Sequence, residues 1–178
     1  MITFKANYID TCTVKKYTAP DTFTDTEVSL VKLNPKDCFD KDAVQRIKSD
    51  WKSHYCNYYY ADFFDKKYDY MEDKRTFFAL TTQKDGFDNL IPDRILSVAE
   101  ISEFRKDMCT LDLLQTNPDY MHDNFERTIK GAGEAILKAI IKLFGNKPIY
   151  LEATLSATPL YEKHGFKYLY GNSMIRRV

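Results

Sequence analysis

Apolar and polar positions along the chain fall into short blocks, and each block predicts one strand or one helix. Residues 27–33 alternate like a strand and end at Asn34-Pro35, a pair that interrupts regular structure. Residues 40–52 have apolar side chains at helical spacing, with Asp40 or Asp42 available as the N-cap. Three further runs predict strands, at residues 75–82, 94–102 and 110–116.

The strongest helical pattern covers residues 134–144. Its polar residues Glu134, Lys138 and Lys142 recur every four positions, and nearly every other residue is apolar. Because only a narrow stripe can face water, we expect this helix to lie deeply on a sheet. Gly145 is well placed to end it.

Shorter elements follow this helix. Residues 148–154 alternate like a central strand, and residues 159–164 predict a short helix. Thr158 is the expected N-cap of that helix, with proline next to it, and Gly165 is expected at its end. Residues 167–177 then predict one or two strands around a Gly-Asn turn.

The order of these elements indicates a single domain over residues 1–178, of α+β or mixed α/β class. Residues 1–26 are rich in Thr, Lys and Asp and alternate only briefly. They either form an added strand or hairpin at a sheet edge, or are an extension that is partly loose, and the sequence does not decide between these.

Aromatic residues make up 15% of the chain and are concentrated in residues 51–70. On a helix, five side chains would share one side: Trp51, Tyr55, Tyr58, Tyr59 and Asp62. Such a face either covers a sheet or forms an aromatic wall of a pocket for a substrate, and both can hold together.

Composition and charge exclude several classes of protein. The chain has 178 residues, and its 26 basic residues balance 26 acidic ones, which argues against a nucleic-acid binder. No apolar run approaches the ~18 residues of a membrane span, and no signal peptide is evident, so we expect a cytoplasmic protein without membrane contact. The four cysteines and three histidines are scattered, which favours reduced thiols and no metal site.

The Gly131-x-Gly133 turn opens directly into the strong helix. Free N–H groups and the positive dipole end of a helix attract phosphate or pyrophosphate, although the same turn can be only a tight connection. A dinucleotide-binding fold needs a third glycine where this chain has Ile136, early in a parallel βαβ unit, and is therefore excluded.

Three segments in order resemble the GCN5-related N-acetyltransferase (GNAT) superfamily. They are Leu114-Gln115-Thr116-Asn117-Pro118 at a strand end, Lys130-Gly131-Ala132-Gly133-Glu134 at the helix start, and Leu160-Tyr161-Glu162-Lys163-His164-Gly165-Phe166. The resemblance covers residues 75–178 well and residues 27–74 in outline. It implies a three-layer fold, in which helices flank a mixed, mostly antiparallel sheet with splayed central strands.

The resemblance also implies acetyl-CoA as co-substrate, with no metal. The pyrophosphate would lie on backbone N–H groups at the start of the helix, and the pantetheine arm along the preceding strand end. The cofactor-binding residues implied are Leu114, Gln115, Thr116, Thr128, Lys130, Gly131, Ala132, Gly133, Glu134 and Ala135.

Two catalytic residues follow from the same resemblance. Tyr161 matches a tyrosine that protonates the departing thiolate, with packing of the short helix as its plain alternative. Glu152 is the first candidate for the base, with an ion pair as its alternative. Asp112 is the second candidate, and Glu100 or Glu103 the third.

The sequence departs from the family pattern in two places. Thr128 stands where the family has Gln or Arg, and residues 121–130 are an insertion that either shapes substrate entry or is a solvated loop. The main hypothesis is an N-acetyltransferase that moves acetyl to a primary amine by direct attack in a ternary complex. The alternative is a non-catalytic acyl-CoA-binding or protein-interaction module.

The acceptor stays open. Acidic and aromatic residues within 51–73 would suit a cationic small-molecule or peptide amine. Both a monomer and a homodimer are compatible with the sequence.

Overall fold

The computed structural model describes residues 6–19, 22–51, 74–121 and 128–178. The aromatic face predicted beyond Trp51 and most of the insertion lie outside the described residues.

One sheet of nine strands organises the described part of the chain, in the order β6-β1-β2-β3-β4-β5-β7-β9-β8. The strands are β1 (Asn7–Ala19), β2 (Thr22–Leu33), β3 (Arg75–Thr81), β4 (Ile95–Arg105), β5 (Met108–Thr116), β6 (Ile129–Lys130), β7 (Ile149–Glu152), β8 (Lys167–Tyr170) and β9 (Ser173–Arg176). Only β5 and β7 pair in parallel among them, which confirms a mixed, mostly antiparallel sheet.

Helices cover both faces of the sheet. They are α1 (Cys38–Asp50), α2 (Ala132–Phe144) and α3 (Thr158–Lys163). α2 packs in a core with Leu30, Leu80 and Ile101, whereas α1 packs in a second core with Val31 and Ala79. Because neighbouring residues of one strand point to opposite faces, the sheet is the middle of three layers.

The N-terminal segment forms a hairpin. β1 and β2 are antiparallel over residues 7–32, and β1 also pairs with β6. The ion pair of Lys142 Nζ with Asp10 Oδ2, at 2.6 Å, joins the hairpin to α2. The described residues of this segment are therefore part of the sheet.

α1 begins earlier than its apolar spacing indicated. The N-cap is Asp37, whose Oδ1 accepts from the N–H groups of Phe39 at 2.9 Å and Asp40 at 3.2 Å. The predicted caps, Asp40 or Asp42, are wrong. Asp40 is buried instead, and its Oδ2 accepts from the N–H of Asn34 at 2.7 Å.

α2 agrees with its predicted pattern. Lys138 and Lys142 are exposed and Glu134 is partly exposed, while Ile136 and Ile140 are fully buried, which confirms the polar stripe. Gly145 ends the helix as expected, but it is the C-cap with φ of −70° and does not adopt the left-handed conformation of a glycine that follows the cap.

The cap of α3 differs from the prediction. Ala157 is the N-cap, and Thr158 is already the first helical residue. Its hydroxyl donates to the carbonyl of Thr154 at 3.1 Å instead of capping the helix. Gly165 follows the helix with φ of 83°, a left-handed conformation that suits glycine.

Three of the cysteines are described, Cys12, Cys38 and Cys109, and all are free thiols. Among the described residues no group of His, Cys, Asp and Glu could hold a metal ion. The same residues include no helix long and apolar enough to cross a membrane.

Candidate functional site

β5 and β7 pair only over their first residues. The pairs are Cys109 with Ile149, Thr110 with Tyr150, and Leu111 with Leu151. β5 continues to Thr116, so in the described structure its edge beyond Leu111 has no strand partner on the β7 side. The sheet therefore opens between β5 and β7, as the resemblance implied for the central strands.

A bulge lies where this gap begins. Glu100 of β4 pairs with Leu113, but the next residue, Ile101, pairs with Leu111. Asp112 is left over between the two pairs, which is the pattern of a β-bulge. Bulges bend a strand, and this one lies where β5 departs from β7.

The start of α2 packs against the end of β5. A Cβ built on Gly133 would lie 2.7 Å from Thr116 Oγ1 and 3.7 Å from Leu114 Cδ2. Real Cβ atoms do not approach other atoms as closely as the first of these distances, so glycine is needed for this contact. This contact brings together two separate segments: the start of α2, predicted to bind the pyrophosphate, and the end of β5, predicted to bind the pantetheine arm.

Gly131 is the N-cap of α2, with φ of 86°, a conformation that glycine adopts without strain. The first N–H groups of a helix have no intrahelical partner, so those of Ala132, Gly133 and Glu134 are suited to an anion. The N–H of Ala135 differs, because it donates to the carbonyl of Gly131 at 2.9 Å. The backbone N–H of Ala135 is therefore not a free donor.

The segment that enters α2 is held by the hairpin. The N–H of Tyr17 in β1 donates to the carbonyl of Thr128 at 2.9 Å. Lys130 and Thr128 are both exposed, and Ile129 between them is buried. The position of Thr128 is therefore fixed through its backbone, and its side chain takes no part in this contact.

Glu134 joins α2 to the end of α3. Its Oε1 lies 2.8 Å from Lys163 Nζ, 3.1 Å from Lys138 Nζ and 3.2 Å from His164 Nε2. The hydrogen bond from Lys163 is the largest cause that lowers the pKa of Glu134, to about 2. The carboxylate is thus ionised at neutral pH and ties the two helices together.

Tyr161 lies on the buried side of α3. Its ring meets Phe166 edge to face, with centroids 5.6 Å apart. Burial raises the pKa of its hydroxyl to about 12. The phenol is therefore neutral throughout the physiological range and available as a hydrogen-bond donor, while its ring also packs the core.

Glu152 is the last residue of β7 and is exposed. It pairs with Ser173 in the ladder, and it forms no ion pair with any residue that the structure describes. Tyr150, two residues earlier, shares a hydrogen bond of 2.7 Å with Ser173 Oγ. Glu152 thus lies at the mouth of the gap between β5 and β7.

Two alternative bases lie together on the α1 face of the sheet. Glu100 is buried, and its Oε1 lies 2.9 Å from Arg75 Nη1. Burial raises the pKa of Glu100 to about 7, against the opposing effect of Arg75. Asp112 is exposed on β5, yet desolvation by its neighbours raises the pKa of its carboxyl as well. Sequence reasoning missed Arg75, whose only signal was a charge at the start of an apolar strand.

The remaining candidate for the base, Glu103, forms an ion pair with Lys147. Its Oε1 lies 2.7 Å from Lys147 Nζ. Cys109 Sγ lies 3.9 Å from the same oxygen and is fully buried. Both residues hold β4 and β5 to the segment that precedes β7.

No protein-family model and no curated protein matches the sequence. Solved structures do match. An acetyltransferase from Thermus thermophilus is 14% identical, with a TM-score of 0.59, and the match covers 85% of this chain and 97% of that one. A GNAT-family acetyltransferase from Staphylococcus aureus is also 14% identical, with a TM-score of 0.54 and coverage of 84% and 98%.

A third match is AtaTR, whose structure was solved bound with AcCoA. It is 16% identical, with a TM-score of 0.57, and the match covers 84% of this chain and 92% of that one. These likenesses, together with the mixed sheet and its flanking helices, show that the chain has the fold of GNAT acetyltransferases, without assigning a subfamily.

Proposed function

We propose that the protein is an acetyl-CoA-dependent N-acetyltransferase that moves an acetyl group to a primary amine by direct attack in a ternary complex. The observation that carries this proposal is the junction of two features. The pairing of β5 with β7 ends at Leu111, and the glycine-rich start of α2 packs against the end of β5, whose edge on the β7 side is unpaired in the described structure.

The cofactor would occupy both features. Its pyrophosphate accepts from the N–H groups of Ala132, Gly133 and Glu134, with the charge of Lys130 beside them. Its pantetheine arm lies along the open edge of β5 over Leu114, Gln115 and Thr116, where backbone groups can bond to its amides. The similar structure of AtaTR with AcCoA supports this choice of cofactor.

In the reaction, the amine nitrogen attacks the thioester carbonyl carbon. The C–N bond forms, the C–S bond breaks, and the thiolate leaves as CoA. Glu152 accepts the proton that the amine loses, and Tyr161 donates a hydrogen bond to the sulfur as its negative charge develops. With a pKa of about 12, Tyr161 is a weaker acid than a thiol of pKa ~8.5, so stabilisation of the thiolate comes before any complete proton transfer.

The acceptor class that we propose is a small-molecule or peptide amine. The balanced charge of the chain, 26 basic and 26 acidic residues, gives no general attraction to nucleic acid.

A turnover assay tests the proposal. The protein is incubated with acetyl-CoA and a panel of primary amines, and both CoA thiol and acetylated amine are quantified. We expect amine-dependent CoA release with an equal amount of acetylated product. Tyr161→Phe should lower kcat by about 10²-fold at unchanged acetyl-CoA affinity. The control is Tyr8→Phe, since Tyr8 is exposed and its hydroxyl bonds only to Thr11 among the described residues.

The same assay addresses a non-catalytic acyl-CoA-binding module. Tight binding of acetyl-CoA by the wild type, with no CoA release for any amine, would favour that alternative and contradict the enzyme.

A further inference from the structure

Three charged residues form one row across the N-terminal strands. Lys15 of β1 lies opposite Lys130 of β6 on one side and opposite Asp25 of β2 on the other. Side chains directly opposite each other in a ladder point to the same face. The row therefore has a net charge of +1, and two of its members are like charges that repel each other.

The row lies next to the proposed cofactor site. Lys130 directly precedes Gly131, the N-cap of α2. The N–H of Tyr17 bonds to the carbonyl of Thr128, so β1 is fastened to the segment that enters the helix. Lys15 is thus held one strand away from the start of α2, although the two are distant in the sequence.

The ammonium of Lys15 contacts two residues of β2. It lies 3.4 Å from Asp25 Oδ1 and 4.2 Å above the ring of Phe23, and its side chain is still 46% exposed. Like charges placed opposite each other destabilise a ladder, and an anion between them removes that cost. The pair Lys15 and Lys130 is therefore suited to bind a phosphate group near the start of α2.

We infer that Lys15 and Lys130 together bind the 3′-phosphate of coenzyme A, so that the N-terminal hairpin is a part of the cofactor site. This inference rests on the proposed function and deepens it. Coenzyme A has a phosphate monoester on its ribose besides the pyrophosphate, with a charge near −2 at neutral pH. One lysine on the loop and one on the hairpin would face that charge, and Asp25 offsets one of the two positive charges until the phosphate displaces it. Lys15 also supplies a cation next to a loop in which Thr128 stands where a Gln or Arg was expected.

Calorimetric titration with CoA and with 3′-dephospho-CoA tests the inference. The wild type should bind CoA more tightly than dephospho-CoA by about tenfold or more, the worth of one or two hydrogen bonds to charged groups. Lys15→Ala should weaken the binding of CoA by about the same factor and leave the affinity for dephospho-CoA unchanged. Asp25→Asn releases Lys15 from its ion pair and should raise the affinity for CoA.

The matched control is Lys16→Ala. Lys16 is the next residue of β1 but lies opposite the buried Ile129, on the other face of the ladder. It should leave the affinities for both ligands unchanged, and melting curves of all variants report any loss of folding.

Two results would overturn the inference while leaving the proposed function intact. One is equal affinity of the wild type for both ligands. The other is an equal loss for both ligands in Lys15→Ala, which would place Lys15 at the pyrophosphate or in the fold. A wild type that binds neither ligand would contradict the proposed function itself.

Discussion

Gly133 and Thr116 approach so closely that any side chain on Gly133 would collide, with its Cβ 2.7 Å from Thr116 Oγ1. This contact sets the distance between the helix that offers N–H groups and the strand that offers an open edge.

Gly133→Ala should separate α2 from β5 and disturb the cofactor site. We expect a loss of about 1–3 kcal/mol in the free energy of unfolding, as for overpacked cores, together with weaker acetyl-CoA binding. Thr116→Ala removes the colliding oxygen, so the double variant should regain most of the stability. Chemical denaturation measures this coupling, and strictly additive effects would show that the two residues do not meet.

Gly131 is constrained by its backbone and not by its neighbours. A Cβ there would meet nothing within 4 Å, but φ is 86°. Gly131→Ala should therefore cost about 1–2 kcal/mol of stability, the usual cost of a left-handed residue, whereas Gly131→Asn should cost less. Equal stability of both variants and the wild type would indicate another conformation of this turn.

Glu100 gives the stability a pH dependence of known sign. Burial raises the pKa of its carboxyl from the ordinary 4.5 to about 7 in the folded protein. The folded state thus holds the proton more tightly, so its contribution to stability is complete below pH 4.5 and is lost as the pH rises through 7. Glu100→Gln should remove this decline, as measured by unfolding curves between about pH 4 and 8. An unchanged pH profile would show that Glu100 is not buried as described.

Arg75 is the ion-pair partner of Glu100. Arg75→Met leaves the buried carboxylate of Glu100 without its ion-pair partner, and above about pH 7 we expect a loss of about 3–5 kcal/mol. The double variant with Glu100→Gln should recover part of it in chemical denaturation, and no recovery would show that the cost of Arg75→Met does not come from this carboxylate.

Glu134 gives the stability a pH dependence of the opposite sign to that of Glu100. Its pKa is lowered to about 2, so its contribution to stability is present above about pH 4.5 and is lost as the pH falls toward 2. The stability difference between wild type and Glu134→Gln should therefore shrink below about pH 4.5. Glu162→Gln is the control, because Glu162 is exposed on α3 and forms no ion pair with the described residues. A difference that stays constant down to about pH 2 would contradict the ion pairs.

The base can be assigned by comparing isosteric variants. Glu152→Gln should lower kcat by about 10²-fold and abolish the acidic limb of the pH–rate profile. Asp112→Asn should have a smaller effect, with Asp107→Asn as control, since Asp107 is exposed and pairs only with Arg105 among the described residues. A larger loss in Asp112→Asn than in Glu152→Gln would reassign the base to the bulge of β5.

Local patterns predicted the elements that depend on one segment only. The polar stripe of α2 and the alternation of Ile149 and Leu151 in β7 follow from burial on one face, and both are confirmed. The predicted cap of α1 was wrong. Asp37, the actual cap, lies before the apolar spacing begins, and Asp40 accepts a hydrogen bond from Asn34 instead.

Relationships between distant segments could not be predicted. The pairing of Lys15 with Lys130 depends on the register of β1 against a two-residue strand that is distant in the sequence. The ion pair of Arg75 with Glu100 likewise depends on the register of β3 and β4. Sequence periodicity specifies the face of a strand but not its partner, so candidate residues could be named from the sequence one by one but their contacts could not.

Amide hydrogen exchange with and without acetyl-CoA locates the cofactor on the protein. If the cofactor lies in the gap between β5 and β7, acetyl-CoA should slow exchange in two separate stretches, the end of β5 over residues 113–116 and the start of α2 over residues 132–134. Slowed exchange elsewhere with both stretches unchanged, or no change at saturating acetyl-CoA, would contradict this position of the cofactor.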